Sequence, residues 1–159
     1  MPNYNLSTRG RIADINQGLR VTKAAASCAA TADVSLFNVV GNVCLLGLVG
    51  VWDGLAETAA TTIAVKHDPT TGTETIIGAA SGTQSAKAAG SMLTLNGTAL
   101  GAMVDSTGVG AAPIGAAGAI FINGPGIIEM TVAGATNTQT ITWHLWYVPM
   151  SDGAYVEAA

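Results

Sequence analysis

The chain has 159 residues, enough for one domain that buries a core without metals or cross-links. Charged residues make up only 10% and hydrophobic residues 49%, the reverse of the balance that keeps a chain disordered, and the formal net charge is only −4. No stretch approaches the ~20 consecutive apolar residues of a spanning helix: Val39 to Trp52 is broken by Asn42 and three glycines, and Val109 to Ile122 carries Pro113 among its glycines.

Met1 to Lys23 is polar and loosely patterned, and Ala24 to Ala32 reads as a linker of small residues. Residues 1–33 are therefore expected to form an extended arm and linker, with at most a short helix. Charge is uneven: Arg9, Arg11, Arg20 and Lys23 against Asp14 leave the first 23 residues at +3, and two lysines against nine acids leave the rest at −7. Such an arm suits an acidic surface on a neighbouring copy or on another protein. Four spaced cations without interleaved aromatics are too few to track a phosphate backbone, so nucleic acid is not an expected partner. The N-terminus has no apolar core of a secretory signal, which points to a protein made in the cytoplasm and used there or released by lysis.

From Val34 the pattern changes to short β-rich runs separated by turn signals, and residues 34–159 are read as one β domain. Val34 to Val40, Gly41-Asn42 and Val43 to Trp52 read as the strongest hairpin, closed by Asp53-Gly54. Thr61 to His67 alternates and, through the turn Asp68 to Gly72, leads into Thr73 to Ile77 as a second hairpin. Met92 to Leu95 is a further short strand, and Leu100 to Gly118 has no usable period and reads as loop. Ala119 to Ile122, a turn at Asn123 to Gly126, and Ile127 to Val132 follow. Gln139 to Val148 is the longest strand, with Ile141, Trp143, Leu145 and Tyr147 on one face and His144, Trp146 and Val148 on the other. Tryptophan on both faces suggests a strand covered on both sides. The sum is an all-β fold, a jelly-roll-like sandwich or barrel with an extended N-terminal arm.

The chemistry of sites is sparse. No G-x-S-x-G elbow is present, and neither His67 nor His144 has a context that marks a catalytic base. Gly108-Val109-Gly110 begins like a dinucleotide loop but lacks the third glycine and does not open a helix. The ten acids are scattered, several in turns, with no calcium-loop pattern. Cys28 and Cys44 lie outside any metal-ligand spacing and read as free thiols. No enzyme activity, metal or cofactor is expected. The aromatic end, Trp143 to Tyr147, is either core packing or an interface, because Trp and Tyr dominate interface hot spots.

Three segments carry a resemblance: LFNVVGNVCLLGLVG (Leu36 to Gly50), TTIAVKHDPTTGTETII (Thr61 to Ile77) and the closing TITWHLWYVPMSDGAYVEAA (Thr140 to Ala159). In these the chain resembles the capsid decoration, or cement, proteins and related virion structural proteins of tailed bacteriophages. The resemblance implies a β domain on the outside of the capsid, assembled in the host cytoplasm as a homo-oligomer, often a trimer, that bridges and stabilises the major capsid protein. No functional residue is carried over from it; the charge of the arm and the aromatic end make Arg9, Arg11, Arg20, Lys23, Trp143, Trp146 and Tyr147 the candidate capsid or subunit contacts. The competing reading is a fibre, spike or carbohydrate-binding module with ligand held in loops. A hydrolase on a β scaffold ranks below both.

Overall fold

A computed structural model describes residues 18–95, 102–105 and 120–159, which contain eleven strands and no helix. In chain order these are β1 (Leu19–Ser27), β2 (Asp33–Val40), β3 (Val43–Trp52), β4 (Thr61–Pro69), β5 (Thr75–Gly78), β6 (Met92–Thr94), β7 (Val104–Asp105), β8 (Ile120–Ile122), β9 (Gly126–Gly134), β10 (Thr140–Pro149) and β11 (Tyr155–Ala158). The first sheet runs β1-β10-β3-β6-β7, with β8 also on β3; the second runs β11-β2-β9-β4-β5. Every strand pairing is antiparallel. The two sheets form a β-sandwich.

The pairings are nested. β1 pairs with β10, β2 with β9, β3 with β8 and β4 with β5, so the chain resembles one long hairpin whose apex is the β4–β5 turn. Successive pairs then fall in alternate sheets. This arrangement explains why the expected hairpin at Gly41-Asn42 is not one. β2 and β3 lie in different sheets, and the two residues carry the chain across the sandwich. Gly41 takes φ 72° there, with Ala154 and Ser151 so close that a Cβ would collide with them. Asn42 ties the crossing down: its N–H donates to Ser151 Oγ (3.0 Å), its Oδ1 accepts from Gly124 N–H (2.9 Å) and its carbonyl from Met150 N–H (2.9 Å). The second expected hairpin, β4–β5, is present.

The N-terminal expectation changes more. Leu19–Ser27 is an edge strand of the first sheet, in register with β10 from Leu19 opposite Tyr147 to Ser27 opposite Thr140. The extended arm and linker expected over residues 1–33 is therefore replaced by a sheet strand across its second half, and Asp33 already begins β2. The Ala-rich run hid this, since alanine marks neither face of a strand. A bulge between Lys23 and Ala26, with Ala25 at φ 49°, further breaks the alternation. Residues 1–17, including Arg9 and Arg11, lie outside the described residues, as does most of the glycine-rich Leu100 to Gly118. Within the latter stretch, β7 pairs with β6, and Ala102 bridges Ala79. The tail after Pro149 is a strand too: β11 extends the second sheet beside β2.

Between the sheets lies an apolar core built, as composition requires, from branched aliphatic residues and few aromatics. Trp52, Trp143, Phe37, Leu45, Leu48, Ile63, Ile128, Met130, Ile141 and Leu145 are among its fully enclosed side chains. Strict alternation delivers them: on β4, β9 and β10 every second residue is buried. Trp143 crosses its neighbour strand where β3 has Gly50; a Cβ there would lie 2.9 Å from the indole.

Candidate interaction face

The outer face of the first sheet follows from the same register. One row across the strands is Arg20, Trp146 and Gly47; the next is Val148, Cys44 and Phe121; a third is Thr22, His144, Val49 and Thr94. Beside Trp146 the β3 strand carries an extra residue, a bulge at Leu46, whose side chain is exposed. Phe121 is 55% exposed, while Trp146, Val148 and Cys44 are half-buried. A sheet whose inner face already holds Trp143 and Leu145 thus shows a second apolar surface outward. Contiguous apolar surface of this kind marks contact with another macromolecule more often than single exposed side chains do.

Polar groups border the patch. Thr22 Oγ1 and His144 Nδ1 are 3.0 Å apart, and the His144 and Trp146 rings are tilted at 49° with centroids 6.2 Å apart. Burial, and then the Arg20 charge, hold His144 below the ordinary histidine range, so at neutral pH it is an uncharged hydrogen-bonding partner. Farther along, Thr140 and Thr142 donate their hydroxyls to the two oxygens of Asp53 at 2.7 and 2.8 Å.

The second sheet's outer face is different in kind. Lys66 Nζ sits 2.8 Å from Asp33, 2.6 Å from Glu74 and 3.6 Å from Glu129, with Thr131 also donating to Asp33. These bonds draw the Asp33 carboxyl below its usual range, whereas burial raises Glu129 despite the nearby ammonium. One cation among three carboxylates leaves this face acidic.

The candidate contact residues separate cleanly. Arg20 is exposed on the outer face opposite Trp146. Lys23 lies on the inward side of β1 and donates from Nζ to the Ala159 carbonyl, joining the edge of one sheet to the end of β11 in the other. Trp146 remains available. Trp143 and Tyr147, by contrast, are core residues at 0% and 4% exposure and cannot meet a partner. They share the inward parity of Ile141 and Leu145, so their place as contacts is corrected. Val148 shares the outward parity of Trp146 on β10 and was placed on that face from sequence, but Leu46 and Phe121 were not singled out; the bulge in β3 and the pairing of β8 with β3 bring them beside it, and both need the strand register.

Among the described residues, no group of three or more His, Cys, Asp or Glu side chains is placed to hold a metal ion. Cys28 and Cys44 are both free thiols, the first buried and the second half-buried. No family model, curated protein or solved structure matches this chain.

Proposed function

We propose that this protein is a virion structural protein of a tailed bacteriophage, a capsid decoration protein that binds the major capsid protein shell and self-associates, as a trimer, on its outer surface. The observation that carries this reading is the outward apolar patch of Trp146, Val148, Leu46 and Phe121 across β10, β3 and β8. Covering it removes apolar surface from water at roughly 25 cal/mol per Å². On a closed shell the same contact repeats at every lattice position, so individually modest contacts give high avidity.

The nested strand order supports the finer architectural part of the proposal, a jelly roll. Within the two larger sheets, the sets β1-β10-β3-β8 and β2-β9-β4-β5 follow the strand order expected of a rolled hairpin. The basic N-terminal residues, Arg9 and Arg11 with Arg20, supply positive charge for an acidic shell surface in this reading.

Co-sedimentation with purified expanded shells tests the function. Wild-type protein pellets with shells at a fixed stoichiometry, and W146E with F121E abolishes pelleting while leaving the folded sandwich intact. Wild-type protein that stays in the supernatant overturns the proposal.

A further inference from the structure

The apex of the long hairpin brings strands of both sheets together. There β5, an edge of the second sheet, faces β8, the short strand on the far flank of the first, and a cleft of ≈ 330 Å³ lies between them. That volume falls at the small end of natural ligand sites, which run from about 300 to 1,000 Å³. Ile77 of β5 and Ile122 of β8, both buried, give it apolar walls. The β4–β5 turn and the start of β5 add the hydroxyls of Thr73 and Thr75, and the residue after β8 adds the Asn123 amide.

Two features narrow what could enter. Among the described residues lining the cleft there is no Asp, Glu, Lys or Arg, so an ionic ligand would be desolvated without a counter-charge. His67 borders the cleft at 7% exposure, and its Nε2 has no hydrogen-bond partner among the described residues. The ring occupies the space that Gly126 leaves by lacking a Cβ. Burial holds this imidazole below the ordinary histidine range, so it is neutral and offers one donor and one acceptor. A buried polar atom left unpaired is costly, and this one lies against Gly126 at the border of the cleft.

We propose that this cleft is a binding site for a neutral sugar, a single pyranose ring or the terminal ring of a glycan, with its C–H surface against Ile77 and Ile122 and its hydroxyls bonded to Thr73, Thr75 and Asn123. A pyranose combines the requirements the cleft sets: no charge, several hydroxyls on a small ring, and apolar edges. Phe121 lines this cleft as well as the outward patch of the first sheet, so the two surfaces meet there and the sugar site is read on the free protein.

The test is made on the full chain, free in solution, so it is independent of shell binding. Glucose, galactose, mannose and N-acetylglucosamine are titrated separately, with amide shifts read by two-dimensional NMR. At least one sugar is expected to shift residues 73–77 and 120–123 in a saturable manner. T75V and N123A, surface substitutions checked for unchanged thermal midpoint, are expected to weaken that sugar about tenfold each, the equivalent of one lost hydrogen bond of about 1.4 kcal/mol. Cyclohexanol, with the ring but one hydroxyl, is expected to bind at least tenfold more weakly. No saturable shifts with any of the four sugars, shifts elsewhere on the protein, indifference to both substitutions, or equal binding of cyclohexanol each overturns the proposal.

Discussion

Trp143 and Trp146 stand three residues apart on β10 and face opposite ways: the first is wholly enclosed between the sheets, the second is half-exposed beside Arg20. The same residue type serves two different ends because a strand reverses its side chains at every step. Replacing each by a small residue separates the roles. W143A opens a large void and is expected to cost about 3–5 kcal/mol in chemical denaturation. W146S is expected to cost much less, while shifting the sedimentation profile from oligomer toward monomer. Equal losses of stability, with no change in association, would count against an interface at Trp146.

How much of this was legible beforehand depends on the range over which each feature is fixed. The alternation of β4, β9 and β10 is local, and the sequence displays both faces of β10 correctly. The partner of each strand is not local. Gly41-Asn42 has the composition of a hairpin turn, yet serves as a crossing between sheets because β2 is claimed by β9 and β3 by β10. Tyr155–Ala158 was too short to signal a strand; it has structure because the edge of β2 is there to pair with. For the interaction face, Trp146 and Arg20 could be named from residue type, but Leu46 and Phe121 could not. Their outward exposure arises from a bulge and from a three-residue strand whose only described partner is β3.

On the second sheet, Asp33 and Glu129 share Lys66, which lowers both carboxyls, but burial outweighs it at Glu129 and raises that one. Asp33 has a lowered folded pKa, so its contribution is present above the unfolded value of about 3.9 and is lost as pH falls through the folded value. Glu129 has a raised one, so its ionisation works against the fold as pH rises from about 4.3 through the folded value. D33N should therefore lower stability at pH 7, by about 0.5–1 kcal/mol as befits an exposed pair, while E129Q leaves it equal or higher. Urea midpoints at pH 7 and pH 3 check this; at pH 3 the D33N deficit should shrink.

Both histidines are held below the ordinary value of about 6.5, His67 by burial and His144 by burial with help from Arg20. Their contribution to stability is complete above that value and is lost as pH falls from it toward the folded pKa. NMR titration of the imidazoles should place both midpoints below 6.5. R20Q should raise the His144 midpoint and leave that of His67 in place, a difference that a general loosening of the fold would not produce.

The two thiols should differ in reactivity. Cys28 is buried and its pKa is pushed up to about 12 by desolvation, with the Asp53 charge adding to the rise, so almost no thiolate is present at pH 8. Cys44 is half-buried on the outer face beside Phe121 and Val148. Iodoacetamide at pH 8 is expected to label Cys44 alone in the free protein, with Cys28 modified only after denaturation. Assembly that covers the patch should slow labelling of Cys44 as well.

The most direct test of the interaction face is electron cryomicroscopy of the assembled particle at side-chain resolution. The account predicts this chain on the outside of the shell, with Trp146, Leu46 and Phe121 packed against another subunit and Trp143 still enclosed in its own core. A particle that lacks the chain, or carries it with that face open to solvent, would contradict it.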